Sequence, residues 1–361
     1  MKSYSKLLVL FLSIALFASC GNADDDVNFG LNTGGDLGEG RPVDDCLDLG
    51  ENDLVLSIQD QFTTAPGKVS VFFKVSDAAG NPVSGLTADQ FTIYEQGRND
   101  ECFNTISKSE ANSRISPNSQ IFSNNTLLVL DLSGSVLDTS LEELKTAGVS
   151  FVNNVMPETT QESFQMAIYW FDGEDVLHEL NPLTASKVEL TAAIEGITAD
   201  ISDDSSTDLY GAVIKSTDIA TNLLNASTEG EKIGAASVVI FTDGTDQASR
   251  FTQEAAQNKV DTANPNISFF TIGLGAEIDE QVLIDLGKTS SVFATNKDEL
   301  EDTFNDISDL VSQRASSFYL FEYCSPKRDG ENNLAIQVEN GTLSGAVQTR
   351  FNAEGFTGGC E

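Results

Sequence analysis

Between about residues 124 and 314, short apolar runs alternate with stretches in which apolar residues return every three or four positions. The runs at 126–130, 165–171, 237–241, 267–272 and 292–294 contain few polar residues, the pattern of strands in a sheet covered on both faces. Leu137, Leu141, Leu144, Phe151 and Val155 share one helical face, and so do Leu300, Phe304, Ile307 and Val311. Leu209, Val213, Ala220 and Leu224 would anchor a further helix opening near Thr207. Asn296, three residues ahead of Glu299, provides a cap for the last helix. Strands alternating with helices predict an α/β domain over residues 118–315, built on a doubly wound, mostly parallel sheet.

On both flanks the period shortens to that of strands. Runs at 54–58, 69–75 and 91–94 are separated by turn signals at 79–82 and at Gln96-Gly97, and strand-like text returns at 317–323 and 334–338. The segment 316–361 is too short to fold alone. It is predicted to complete a small β-sandwich begun by residues 51–117, with the α/β domain inserted in it or flanked by it. Residues 20–50 are rich in Gly, Asp and Asn without apolar periodicity and read as a flexible acidic tether, with a typical span of about 28 Å.

The N-terminus carries Lys2 and Lys6, an apolar stretch from Leu7 to Phe17, and then Ala18-Ser19-Cys20. This is the layout of an export signal, 1–19, too short for a typical membrane span. A signal ending at a cysteine after small residues resembles that of bacterial lipoproteins, with Phe17 where leucine is usual. The resemblance implies a lipid on Cys20, with a plain secreted protein as the alternative; Asp24-Asp25-Asp26 behind it resembles the acidic tag of surface-exported lipoproteins of some Gram-negative bacteria, which implies a surface-exposed outer-membrane location. Cys46, Cys102, Cys324 and Cys360 form an even set in an exported chain, which suggests disulfides in one of three connectivities. None lies between residues 103 and 323, so the staples belong to the flanking segments, and Cys46 with Cys102 and Cys324 with Cys360 is the favoured pairing.

Composition narrows the partners. With 56 acidic against 20 basic side chains, the formal charge of −36 opposes nucleic acid and anionic lipid surfaces and favours cations. The sole histidine, His178, reads as a surface residue on an edge strand away from the loops discussed next. No Walker loop, GxGxxG segment or HExxH helix occurs, and a Ser-His-Asp or Cys-His set lacks a placed base. These absences argue against an enzyme and against a small-molecule cofactor.

One constellation carries chemistry. Asp131-Leu132-Ser133-Gly134-Ser135 directly follows the first apolar run, Thr207 lies in Ser205-Ser206-Thr207-Asp208, and Asp243 follows another apolar run in Thr242-Asp243-Gly244. Sites in open α/β sheets form where strands end at their carboxyl edge, and five oxygen donors suit Mg2+, with Mn2+ or Ca2+ as alternatives. The first motif alone could equally be a helix cap. Asp200, Asp203, Asp204 and Asp208 around Thr207 are expected to be solvated surface that concentrates cations.

At these residues the chain resembles a von Willebrand factor type A domain carrying a metal-ion-dependent adhesion site. The resemblance implies that Ser133, Ser135 and Thr207 ligate the metal directly while Asp131 and Asp243 act largely through water. It further implies that a partner protein's Asp or Glu carboxylate fills the open position, making the module adhesive. The rival expectation is an envelope-complex scaffold in which the metal only stiffens the loops.

Overall fold

The structure, a computed structural model, describes residues 42–50, 53–116, 122–229 and 232–360. The export signal, Cys20 and the tether up to residue 41 lie outside these residues.

Five strands precede the α/β layer: β1 (Leu54–Thr64), β2 (Lys68–Asp77), β3 (Phe91–Gln96), β4 (Asn104–Ile106) and β5 (Arg114–Ser116). A one-turn helix, α1 (Lys108–Ala111), separates the last two. The layer itself runs β6 (Phe122–Asp131), α2 (Gly134–Thr139), α3 (Leu141–Val155), β7 (Phe164–Phe171), β8 (His178–Thr184), α4 (Lys187–Glu195) and α5 (Leu209–Glu229). It continues through β9 (Ile233–Thr242), α6 (Gln253–Asp261), β10 (Ile267–Leu274), α7 (Glu280–Leu286), β11 (Ser290–Ala294) and α8 (Leu300–Ala315). Strands β12 (Phe318–Cys324), β13 (Glu331–Asn340) and β14 (Leu343–Asn352) close the chain.

The six-stranded sheet has the order β11-β10-β9-β6-β7-β8. Every neighbouring pair is parallel except β7 with β8 at the edge. All ten residues of β6 are buried, and helices cover both faces of its second half. Leu128 and Leu130 pack under α3, α4 and α8, whereas Leu127 and Val129 pack under α5, α6 and α7. Side chains alternate across a strand, so the part of β6 covered by helices on both faces, Leu127–Leu130, is apolar at every position, while Ser123, Asn124, Asn125 and Thr126 are buried polar residues of the same strand; the runs read from sequence mark the doubly covered parts. The chain leaves β6 toward β7 on one side and later returns to β9 on the other. The crevice between the ends of β6 and β9 is therefore the topological switch point.

The single helical face expected from Leu137 to Val155 is two helices. The backbone leaves the helical region at Ser140 (φ −138°, ψ 10°), and Leu141 and Val155 are only partly buried. Asn296 caps a short turn, Lys297–Glu299, through the N–H of Asp298, and that turn runs into α8. The face of Leu300, Phe304, Ile307 and Val311 is fully buried.

The flanking strands form two antiparallel sheets, β1-β2-β12-β5 and β14-β13-β3-β4. Each draws strands from both sides of the α/β layer, and one apolar core lies between them. The buried Glu322 carboxylate of β12 ties its neighbours together, meeting Lys68 of β2 at 2.9 Å and Arg114 of β5 at 2.8 Å. Where the sandwich meets the layer, Phe72, Phe122 and Phe318 pack with ring centroids 4.8–5.9 Å apart. Disulfides join Cys46 to Cys102 and Cys324 to Cys360.

Candidate metal centre

Asp131 is the last residue of β6 and Thr242 the last of β9. Leu130 pairs with Phe241, so Asp131 and Thr242 end side by side at the switch point. The Thr242 hydroxyl donates to Asp131 Oδ2 at 2.6 Å, and the Ser133 N–H donates to Asp131 Oδ1 at 2.9 Å. Both carboxylate oxygens are thereby oriented, although Asp131 is wholly buried. One residue past Thr242, Asp243 Oδ1 accepts from Ser135 Oγ at 2.7 Å, and the hydroxyls of Ser133 and Ser135 lie 3.4 Å apart.

The Thr207 loop closes the third side. Its Ser205 carbonyl accepts from the Gly134 N–H at 3.1 Å, and the Thr207 carbonyl accepts from the N–H groups of Gln247 and Ala248 at 2.8 and 3.1 Å. Gly134 is required for this approach: a Cβ there would stand 2.8 Å from the Ser205 Cβ. Thr207 Oγ1 lies 3.9 Å from where a Cβ on Gly244 would be, so it faces the Asp243 loop. All five oxygen-bearing residues singled out in the sequence thus belong to three loops bonded to one another. Asp131, Ser133 and Thr207 are buried, Asp243 is half-buried, and Ser135 is exposed at the mouth.

The electrostatics are one-sided. Among the described residues no ion pair reaches Asp131 or Asp243. Burial first, and the neighbouring Asp243 charge with it, push the Asp131 carboxyl up to about 7 against the pull of the Thr242 and Ser133 hydrogen bonds. Burial, with Glu277 adding to it, likewise raises Asp243. A buried carboxylate ordinarily meets a cationic or hydrogen-bonding partner that lowers its cost. Two carboxylates and three hydroxyls without a basic side chain fit a hard divalent cation, which favours oxygen donors.

Two expectations from the sequence are corrected. Asp208 is buried, not solvated surface: its carboxylate meets Lys215 Nζ at 3.2 Å and accepts the Gly211 N–H, since it opens α5 facing inward. His178 does not lie away from the metal loops. It starts β8, which runs antiparallel to β7, and pairs with Trp170. The histidine therefore sits at the sheet edge where Asp131 pairs with Phe171. Sequence reading also missed Thr242 as the residue that holds Asp131. Its signal is position: a hydroxyl closing a buried strand next to the metal motif.

Residues 125–310 match the family model of the von Willebrand factor type A domain. The chain belongs to that family. The match spans the α/β layer from early β6 into α8, and with it all three loops of the centre. Among solved structures, similarity covers 54% of this chain and 100% of BatB, a conserved hypothetical protein from Bacteroides thetaiotaomicron, at 18% identity and a TM-score of 0.42. It covers 83% of this chain and 73% of a von Willebrand factor type A protein from Catenulispora acidiphila, at 10% identity and a TM-score of 0.44. A third similar structure is proximal thread matrix protein 1 from the mussel byssus, solved with a zinc-occupied MIDAS motif, at 15% identity and a TM-score of 0.43. That match covers 53% of this chain and 48% of the mussel chain, so this type A chain spans about half the length of that relative. No curated protein matches the sequence.

Proposed function

We propose that the type A domain binds a divalent cation, Mg2+ before Mn2+ or Ca2+, through Asp131, Ser133, Ser135, Thr207 and Asp243. The bound cation then captures a carboxylate of a partner protein. The observation that carries this reading is the pair of carboxylates without a cationic side chain, converging with hydroxyls at the open end of the switch-point crevice. Two negative charges balance the ion formally. The remaining donors are neutral hydroxyls, which leave it attractive to one more anionic oxygen. Ser135 and half-buried Asp243 put that position where a partner can reach it. The chain acts as a recognition module and not as an enzyme, held on the bacterial outer membrane by a lipid on Cys20 and facing outward.

The test is capture from native extract in Mg2+ or in EDTA, using the wild type and Asp131→Asn, with circular dichroism as the fold control. Capture lost on chelation and in the variant, with the fold intact, is the expected result. Loss of fold together with capture would favour the scaffold role, and capture indifferent to both changes would end the proposal. Palmitate labelling abolished by Cys20→Ala checks the anchor.

A further inference from the structure

A second group of ligating side chains stands at the same sheet edge, on the far side of the Thr207 loop. Asp172 directly follows β7 and is buried, and Glu174 and His178 complete a set whose ligand atoms all lie within 4.8 Å of one another. Register explains the meeting. Trp170 and His178 are directly opposed across the β7–β8 pair, so their side chains share a face. The imidazole stacks on the indole with centroids 4.0 Å apart and planes 11° from parallel. Stacking fixes the ring and aims Nε2 at Glu174 Oε2, 3.5 Å away. Nε2 is itself buried and has no hydrogen-bond partner.

Asp172 is held as metal-ligating carboxylates are, by an outer ring of hydrogen bonds. Its Oδ1 accepts the Glu174 N–H at 2.8 Å and its Oδ2 accepts the Ser202 hydroxyl at 2.6 Å. The Ser202 oxygen in turn accepts the Asp204 N–H at 3.2 Å, and the Asp172 carbonyl accepts the Asp208 N–H at 2.8 Å. The group is thus built into the loop that carries Thr207, with no atom in common with the five-oxygen centre.

We propose that Asp172, Glu174 and His178 form a second, independent cation site, for a borderline transition ion with Zn2+ first. The donor set decides the class: one imidazole and two carboxylates suit Zn2+ over Mg2+ or Ca2+. Geometry agrees, because the Nε2–Oε2 separation of 3.5 Å matches the edge of about 3.4 Å of a tetrahedron with 2.0–2.1 Å bonds. Glu174, 47% exposed, supplies the movement that brings its carboxylate to the ion, and the fourth position faces water.

The chain offers a clean probe, since His178 is its only histidine. The experiment is a Zn2+ titration of the untagged chain in excess Mg2+, followed through the imidazole proton–carbon resonances. The expected result is a saturable shift at one equivalent, retained in Asp131→Asn and weakened at least tenfold in Glu174→Ala, whose exposed side chain leaves the fold undisturbed. Resonances that do not move, that move equally in Glu174→Ala, or that move only when Asp131 is intact would each overturn the proposal. A failure of Mg2+ binding in Asp131→Asn with the Zn2+ response intact separates this site from the adhesive centre.

Discussion

A cation bound as proposed would compete with protons for one buried carboxylate, and the competition would set a measurable pH dependence. In the protein without metal, the Asp131 carboxyl is raised from 3.8 to about 7. For an acid raised in the folded state, stability is fully present below the unfolded value and is lost as pH rises through the folded value. The whole interval corresponds to about 4 kcal/mol lost by pH 8, a fall in Tm of about 8 °C at about 2 °C per kcal/mol. Cation binding reverses that loss, because the ion takes the place of the proton. The same coupling weakens apparent Mg2+ affinity about tenfold for each pH unit below 7, about 100-fold at pH 5. Titration calorimetry from pH 5 to 8, with paired melts in Mg2+ and in EDTA, measures both effects. Taking the Mg2+ minus EDTA difference cancels carboxylates remote from the ion. Asp131→Asn keeps an oxygen for the Ser133 N–H and cannot ionise, so its EDTA melt should lose this component of the pH dependence and its Mg2+ gap should vanish. An affinity equal at pH 5.5 and 7.5, or a gap of the same size in Asp131→Asn, would show the reasoning to be wrong.

Other consequences can be checked by denaturation. Replacing Cys324 and Cys360 together by serine opens a loop with a sequence separation of 36 and should cost about 4 kcal/mol, read from the urea midpoint. In Gly345→Ala the new Cβ would stand 2.0 Å from the Leu54 carbonyl oxygen; backbone cannot yield as a side chain does, and a loss of about 3 kcal/mol is expected. Lys215→Met strips buried Asp208 of the ammonium at 3.2 Å and should cost about 3 kcal/mol, whereas Lys215→Arg should restore much of it.

The α/β layer was legible because its central parallel strands are covered on both faces, which favours apolar residues at successive positions and leaves runs such as Leu127–Leu130 and Val238–Phe241. The five oxygen residues were legible for a related reason: Asp131 and Asp243 interrupt such runs where the sheet ends. Strands exposed on one side were harder to read. β14, Leu343–Asn352, mixes Gln, Thr and Arg with small residues and gives little signal. β4 and β5 have three residues each, too few for any period. His178 was misplaced because direction, parallel or antiparallel, is not written in a single strand. Only pairing with β7 reveals which sheet edge its first residue reaches. Asp208 was misread because a carboxylate among other carboxylates looks solvated until Lys215, one helical stretch later, is seen to fold back on it.

The placement of β5 beside β12, with Ser116 opposite Leu320, bears on the order in which the molecule assembles. Bringing two segments about 200 positions apart together as a free loop costs about 5 kcal/mol of chain entropy. A folded α/β layer removes most of that separation by delivering its two ends to neighbouring strands. During synthesis the layer is complete before Phe318 emerges. Until then β2 and β3 each wait for the strand that will cover one side, β12 and β13 respectively. A chain stalled or cleaved in that interval displays two open sheet edges, the template for misassociation between copies. Truncation just after α8 should therefore yield a soluble fragment only if residues 53–116 are removed as well.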